Sequence, residues 1–183
     1  MDTEYRRFTA AEADALADFL LDTPWPFHVP SSPDRELILK RVADHFYDGD
    51  DSRTFWIIRG EQRAGLLRLL DLNEVGRGVA PMFDLRLAPA HRRQGIGRQT
   101  VAWLTEYLFT TFPDLQRIEG NTRQDNLAMR RTFRSCGYVK ESHYRAAWPG
   151  ESGRLHDSIG YAVLRRDWLS GTTTLPDWDD EPS

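Results

Sequence analysis

The stretch that decides the fold is residues 83–97, which read Phe-Asp-Leu-Arg-Leu-Ala-Pro-Ala-His-Arg-Arg-Gln-Gly-Ile-Gly. Hydrophobic residues at 83, 85 and 87 alternate with charged residues at 84 and 86, which is typical of a strand with two different faces. The proline and the cationic cluster that follow predict a turn. Beyond Gly95, one helical face carries Ile96, Val101, Leu104 and Leu108. The stretch is therefore predicted to form a strand, a basic glycine loop and a helix.

This order of elements predicts an anion site at the start of the helix. The first N–H groups of a helix have no partner within it, and the helix dipole adds partial positive charge there, so a pyrophosphate is held well at that end. Gly95 and Gly97 lack the Cβ atoms that would block a close backbone approach. Three arginines, each able to bind a phosphate with two donors, add charge around the same point: Arg92, Arg93 and Arg98.

Two common phosphate-binding motifs do not fit this loop. A P-loop needs Lys-Ser or Lys-Thr after its second glycine, and a dinucleotide-binding Gly-x-Gly-x-x-Gly motif would need glycine at the position of Thr100. The plain alternative is a glycine turn with exposed arginines, and the motif by itself leaves that alternative open.

Composition limits the class of protein. A chain of 183 residues suggests one domain, and its net charge of −4 gives no overall basic field for nucleic acid. A local basic patch in such a chain suits a small anionic ligand. One cysteine permits no intrachain disulfide, so we expect a cytoplasmic protein. We find no signal core, no apolar run of membrane-spanning length and no metal-ligand spacing among the histidines.

Periodicity and turn signals predict the order β-α-α-β-β-β-α-β-α-β-β along the chain. The first helix is expected at about residues 10–21 and the second at 34–47. Strands after them are expected at 54–59, 64–72, 82–87, 116–122, 138–142 and 157–164. The helix after the glycine loop is expected to end near Thr111, and a shorter one is expected to run from 125 or 126 to 135.

Two motifs and the element order resemble the GNAT superfamily of N-acetyltransferases. Arg92-x-x-Gly95-x-Gly97, after a strand and before a helix, resembles the acetyl-CoA loop of that superfamily. The segment that starts at Asn126 and ends at Gly137-Tyr138 resembles its second motif, and residues 157–168 are similar to the RimJ/RimL-like branch. The resemblance implies an α/β (α+β) fold with a mixed sheet that is splayed at its central strands and has helices on both faces.

The resemblance implies one acetyltransferase domain at residues 1–168 and an acidic, partly ordered tail at 169–183. It also implies acetyl-CoA as the cofactor, with the phosphates on the glycine loop and main-chain contacts from the central strand near Leu85. A metal is not required. The residues expected to contact the cofactor are Leu85, Arg86, Leu87, Arg92, Arg93, Gln94, Gly95, Ile96, Gly97, Arg98, Asn126, Arg130 and Phe133.

The positions that carry the catalytic groups in many relatives hold other residues in this chain. Many relatives carry a glutamate base at one of two strand positions, which here hold Phe83 and Asn121. Glu119, two residues before Asn121 on the same strand face, is our first choice for the base, with a surface carboxylate as the alternative reading. Asp84 on the central strand is the second choice, and Asn121 is retained as a third candidate catalytic residue. The tyrosine that protonates the thiolate in many relatives is replaced by Phe133.

A loop with four prolines, residues 23–33, carries three residues that either line a substrate pocket or cap the core: Trp25, Phe27 and His28. With the acidic composition, the loop favours an amine substrate, namely a peptide N-terminus, an amino acid or a small amine. The expected reaction is acetyl transfer to a primary amine by direct attack in a ternary complex. A non-catalytic acyl-CoA sensor is the alternative. We expect no nucleic-acid or membrane partner and leave a homodimer open.

Overall fold

The computed structural model describes residues 2–28, 34–150 and 153–178. Within them the predicted order of elements is confirmed, with one further helix at the end. The strands are β1 Thr3–Arg7, β2 Arg53–Arg59, β3 Gln62–Leu70, β4 Met82–Leu87, β5 Arg117–Arg123, β6 Val139–Pro149 and β7 Leu155–Leu164. The α-helices are α1 Ala13–Leu21, α2 Arg35–Ala43, α3 Ile96–Thr111, α4 Leu127–Ser135 and α5 Arg165–Ser170.

The strands form two separate antiparallel sheets. The first contains β1, β2, β3 and β4 in that order, and the second has the order β5-β7-β6. β4 is the last strand of one sheet and β5 the first of the other, and within the described residues no backbone pairing joins them. The splay expected at the central strands therefore amounts to a complete separation of the hydrogen-bonded sheets. The unpaired edges of β4 and β5 border the gap.

Helices cover both faces of the first sheet, as predicted. Phe55 and Ile57 of β2 pack in one buried cluster with α3 residues such as Leu104. Trp56, between them in sequence, packs on the opposite side in a cluster with α1 and α2, including Ile38. This division follows from the alternation of side chains along a strand. α3 therefore covers the face of the first sheet opposite to α1 and α2, and this face is the one directed towards β5.

The second helix is shorter than the predicted 34–47. Asp34 caps its start, since the carboxylate accepts a hydrogen bond from the Leu37 N–H at 3.0 Å. The helix ends at Ala43 because His45 has a φ of +58°, which a right-handed helix does not permit. Phe46 then turns beneath the Arg68 guanidinium, 3.6 Å from its carbon to the ring centroid. The residues at 29–33 of the predicted proline loop lie outside the described ranges.

β6 extends well beyond its predicted end at residue 142. Its pairing with β7 is irregular between Tyr144 and Trp148, and it resumes with Trp148 opposite His156. The irregular segment breaks the alternating pattern in the sequence, so the second half of the strand gave no local signal. This extension brings Trp148 to the gap between the two sheets.

The chain after β7 forms α5, which the sequence did not predict because six residues show too little periodicity. Arg165 donates to the carbonyl oxygens of Phe109 at 2.9 Å and Leu115 at 2.6 Å. Trp168 packs on Phe109 with a centroid distance of 5.2 Å. These contacts attach α5 to the end of α3. The acidic end of the expected tail, residues 179–183, lies outside the described ranges.

Candidate active site

A cleft of about 470 Å³ opens where the two sheets separate. Its walls come from β4, β5, the start of α4 and the end of β6, together with Phe27 and His28 from the loop after α1. The size is in the range of small-molecule sites in proteins. The cleft is bordered by the two strand edges that have no hydrogen-bonded neighbour, so main-chain donors and acceptors are available along it.

Aromatic rings close the gap beside Gly120. Phe83 of β4 and Phe133 of α4 meet edge to face with centroids 5.9 Å apart, and Phe133 stacks on Tyr161 at 4.9 Å. A Cβ on residue 120 would lie 2.5 Å from Phe133 and 3.0 Å from Phe83, so β5 requires glycine there. Phe83 and Phe133, which stand where many relatives carry proton-transfer groups, form an apolar wall instead.

The opposite face of β4 presents a polar cluster to the cleft. Asp84 Oδ1 lies 3.0 Å from His28 Nε2. The Arg86 side chain donates to Asp84 Oδ2 from Nη2 at 2.9 Å and from Nε at 3.1 Å. The three side chains are 22%, 28% and 11% exposed in the order His28, Asp84, Arg86. The carboxylate is therefore shared between two donors at the border of the cleft.

The electrostatics of this cluster keep Asp84 ionised. Burial by itself would raise the pKa of the Asp84 carboxyl, but the hydrogen bond from His28 and the positive charge of Arg86 outweigh it. The pKa of Asp84 therefore lies far below its ordinary value. A base must take up a proton near the working pH, and this carboxylate holds its charge too firmly to do so.

Three buried polar atoms of cleft-lining residues have no hydrogen-bond partner in the part of the chain that the structure describes: His28 Nδ1, Arg86 Nη1 and Trp148 Nε1. Three more such atoms belong to residues that do not line the cleft: Arg53, Trp56 and Arg68. A buried polar atom without a partner destabilises a fold by roughly 1–3 kcal/mol. Such atoms in a cleft point to a ligand or water that satisfies them.

The glycine loop leads from β4 into α3. Gly95 is the residue before the helix and has a φ of +80°. Arg92 donates from Nε to the Leu87 carbonyl at 2.8 Å, and Gln94 donates to the Ala90 carbonyl at 2.7 Å, so both residues hold the loop in shape. Ile96 is buried and anchors the helix. The exposed members of the loop are Arg92, Arg93, Gln94, Gly95 and Arg98.

This loop fits the diphosphate of coenzyme A. It exposes a helix N-terminus that carries three arginines around it, which is an arrangement that binds phosphate groups. At Gly97 a Cβ would approach only Leu87 and Thr132, at 3.6 Å and 3.8 Å, so the glycine is not needed for packing. Its missing side chain instead leaves the backbone open to a close ligand.

The chain matches the family model of the acetyltransferase (GNAT) domain over residues 3–139. The chain belongs to the GNAT acetyltransferase family. It is an acetyl-CoA-dependent N-acetyltransferase, which confirms the fold, the enzyme class and the cofactor that the sequence motifs implied. The match gives no support to the alternative of a non-catalytic sensor. No curated protein matches this chain.

Solved structures of other GNAT proteins show the same fold. A spermidine N-acetyltransferase from Vibrio cholerae, in complex with CoA and spermine, is 19% identical with a TM-score of 0.75 over 91% of this chain and 98% of its own. RimL, the ribosomal L7/L12 α-N-protein acetyltransferase in complex with coenzyme A, is 20% identical with a TM-score of 0.76 over 88% and 93%. A dodecameric spermidine N-acetyltransferase from Vibrio cholerae is 19% identical, with a TM-score of 0.73 over 92% and 97%. At such identities the likeness concerns the fold.

Among the catalytic residues predicted for this GNAT enzyme, Asp84 and Asn121 line the cleft and Glu119 does not. The Glu119 side chain is 40% exposed and lies 3.5 Å from Arg117, which also pairs with Glu141 at 2.9 Å. This position agrees with the alternative reading of a surface carboxylate. The structure therefore brings two of the three candidates together and leaves Glu119 outside.

The cofactor residues predicted outside the glycine loop are placed in different ways. Leu85 lines the cleft from β4, while Leu87 pairs with β3 and packs towards the glycine loop. The Asn126 amide accepts a hydrogen bond from the Met129 N–H at 3.2 Å and so caps α4 at the border of the cleft. Arg130 donates to the Gln124 carbonyl at 2.8 Å, and this bond directs it into the protein.

The predicted substrate residues divide in a similar way. Phe27 and His28 line the cleft, but Trp25 is 2% exposed and donates its indole N–H to the Leu20 carbonyl at 2.9 Å. Trp25 lies behind the polar cluster, with its ring 5.5 Å from the Arg86 guanidinium carbon. It therefore packs in the core, as one of the two readings of the proline loop had it. Trp148, which sequence reasoning missed, lines the cleft through the unforeseen part of β6.

Proposed function

We propose that the cleft transfers the acetyl group of acetyl-CoA to a primary amine that carries a carbonyl or carboxylate oxygen close to its nitrogen. The observation that carries this proposal is a pair of donors in the cleft lining, Arg86 Nη1 and Trp148 Nε1, that have no hydrogen-bond partner within the described ranges of the chain. Both atoms can only donate, so a substrate that offers an acceptor oxygen would satisfy them. An amino acid or the first residue of a peptide has such an oxygen.

The charges around the cleft support the same choice. Among the described lining residues Asp84 is the one carboxylate, and its oxygens already accept from His28 and Arg86. A substrate with several ammonium groups, such as the spermine bound to the Vibrio cholerae relative, needs several free carboxylates in a partly buried site. This cleft does not provide them. Of the three amine classes that the sequence left open, we therefore favour amino acids and peptide N-termini over small polyamines.

In this proposal, the residues of this chain bind acetyl-CoA and orient it against the amine. Acetyl-CoA, when bound, supplies the electrophilic thioester carbonyl. The glycine loop binds its phosphates, and Asn126 and the unpaired edge of β4 guide the pantetheine into the gap. A backbone N–H near Leu85 polarises the carbonyl, and Asn121 faces the amine. Orientation of the two reactants in one ternary complex supplies much of the acceleration.

The proposal includes a cytoplasmic enzyme with one acetyltransferase domain at residues 1–168, and the single cysteine supports the reducing compartment. None of the described helices has the length and hydrophobicity to cross a membrane. A dodecameric structure of a spermidine N-acetyltransferase with this fold supports self-association. We therefore propose a homodimer as the smallest assembly to look for in solution.

The substrate proposal is tested with triplets of amines in a free-thiol release assay. Each triplet contains an α-amino acid, its amide and the amine that lacks the carboxyl carbon, and spermidine is assayed beside them. We expect kcat/KM for the amino acid or its amide to exceed that for the bare amine and for spermidine by roughly ten-fold or more, the worth of one good hydrogen bond. The ratio of acid to amide identifies which oxygen is recognised.

Two matched variants connect this preference to the cleft. Trp148→Phe removes the unpartnered indole N–H in the cleft, and Trp56→Phe removes an equally unpartnered one in the core under α1 and α2. Trp148→Phe should reduce the preference for the oxygen-bearing amine, and Trp56→Phe should leave it unchanged. A preference for spermidine or the bare amine would contradict the substrate class. If the enzyme acetylates none of the amines, the proposed function itself is contradicted.

The cofactor site is tested by Gly97→Val. The side chain enters space next to Leu87 that packing does not need, so we expect a folded protein whose affinity for acetyl-CoA in calorimetry falls by at least ten-fold, because the backbone can no longer approach the diphosphate. Ala102→Val places the same side chain at an exposed site on the same helix and serves as the control. Wild-type affinity in Gly97→Val would contradict the loop assignment.

A further inference from the structure

The cleft leaves few groups able to remove the proton of the amine. Its described lining contains three titratable side chains, those of His28, Asp84 and Arg86. A guanidinium does not lose its proton in proteins, and Asp84 is held ionised with its oxygens already bonded. Glu119 lies outside the cleft in an exposed ion pair with Arg117. His28 is the remaining titratable side chain of the lining, and a neutral imidazole has one nitrogen that can accept a proton.

The contact with Asp84 selects one tautomer of the neutral His28 ring. Nε2 lies 3.0 Å from the Asp84 carboxylate, which can only accept, so Nε2 carries the hydrogen in the neutral ring. The lone pair is then on Nδ1, which is buried and has no hydrogen-bond partner among the described residues. The ring also meets Trp25 edge to face with centroids 6.0 Å apart, and the His28 N–H donates to the Trp25 carbonyl at 2.9 Å. Ring and backbone are therefore both fixed.

We propose that His28 is the general base of this enzyme and that Asp84 is the positioning residue that fixes its tautomer. The inference rests on the proposed function, since it assigns the proton transfer of that reaction. As the nitrogen of the neutral amine bonds to the thioester carbon, one of its two protons passes to Nδ1. The C–S bond then breaks, and the sulfur leaves with the bonding electron pair as the CoA thiolate. The imidazolium returns the proton to that thiolate through solvent. His28 is neutral again, and an amide and a thiol are the products.

In the described part of the chain, charged groups approach the surroundings of His28 from β4, from β5 and from the glycine loop. Asp84 and Arg86 face it from β4 and form one ion pair. From β5, the Arg123 guanidinium donates to the Pro26 carbonyl and packs on Phe27, and Asp125 neutralises it at 2.6 Å. From the glycine loop, the Arg92 guanidinium carbon lies 5.8 Å from the centroid of the Trp25 ring, which itself packs on the His28 ring.

The test measures kcat/KM against pH in His28→Gln, which keeps a donor for Asp84 and loses the base. We expect a decrease of roughly 10²–10⁴-fold, the usual contribution of general-base catalysis, together with loss of the rising limb of the pH profile. Two amines of different basicity are used, because a limb set by the amine moves with its own ionisation and a limb set by His28 does not. Added imidazole should restore part of the activity of His28→Ala.

A second histidine gives the matched control. His143 also pairs with a carboxylate, Asp157, at 2.8 Å, but does not line the cleft, so His143→Gln should keep the wild-type pH profile. Acetyl-CoA binding by calorimetry should be unchanged in His28→Gln, which separates loss of the base from loss of the fold. Activity within about three-fold of wild type, or a reduced rate with an unaltered limb, would overturn the inference. If wild type acetylates none of the amines, the proposed function fails instead.

Discussion

The described residues contain two histidine–aspartate pairs with nearly equal separations, 3.0 Å for His28–Asp84 and 2.8 Å for His143–Asp157. The second pair connects β6 to β7 at the surface, where the histidine is 45% exposed. The first borders the cleft, where His28 is 22% exposed and its second nitrogen has no partner in the part of the chain that the structure describes. The contact itself is the same in both regions.

The surroundings make the two pairs different. Asp157 also accepts a hydrogen bond from the Ala146 N–H at 2.9 Å, whereas Asp84 also binds the Arg86 guanidinium. Both carboxyls have a lowered pKa, Asp157 chiefly through that backbone hydrogen bond and Asp84 through His28 and Arg86 against its burial. Because solvent screens the surface pair, its contribution to stability is small. A pair of this type acquires a role in catalysis only where a cleft supplies a substrate to its free nitrogen.

The largest difference is expected from removing the two carboxylate charges. Asp84→Asn leaves Arg86 as a cation that is 11% exposed without a counter-ion. We expect the free energy of unfolding, measured with urea, to decrease by roughly 2–4 kcal/mol, somewhat below the value for a fully buried pair. Asp157→Asn, at the surface, should cause a clearly smaller decrease. Equal effects of the two substitutions would show that the contrast in surroundings is not important for stability.

The contribution of the Asp84 carboxylate to stability should also depend on pH. A carboxyl whose pKa is lowered in the folded state stabilises the fold above its unfolded pKa, about 3.9 for aspartate, and the contribution is lost as pH falls towards the folded value. The difference in unfolding free energy between wild type and Asp84→Asn should thus be constant above about pH 5 and shrink below about pH 4. Urea unfolding at a series of pH values measures it. A difference that grows on acidification would contradict the assigned sign.

The smallest effect is expected at the surface histidine. His143→Gln removes half of an exposed pair, so the unfolding free energy should change by no more than about 0.5 kcal/mol, and kcat/KM for the best amine should remain at the wild-type value. Thermal unfolding and the thiol release assay measure the two quantities. A large loss of activity in this variant would mean that the surface pair contributes to the site, and the comparison would then fail.

Sequence patterns predicted the parts of the fold that depend on neighbouring residues. Alternation and turn signals set β4 and the hairpin of β2 and β3, and the glycine loop was placed at the start of α3 because helix termini have a local chemistry. The second half of β6 and the helix α5 were not predicted, since an irregular strand and a six-residue helix have weak local patterns. The end of α2 was misplaced because the left-handed His45 carries no sequence mark.

The sequence by itself determined the family, the cofactor and the position of the glycine loop before α3, because these depend on residues within short segments of backbone. Only the tertiary structure decided which polar side chains face one another. It placed Asp84 between His28 and Arg86, moved Glu119 out of the cleft and brought Trp148 into it. The physical reason is that a side chain's protonation and hydrogen bonds depend on groups that are distant in sequence, and local periodicity carries no record of them.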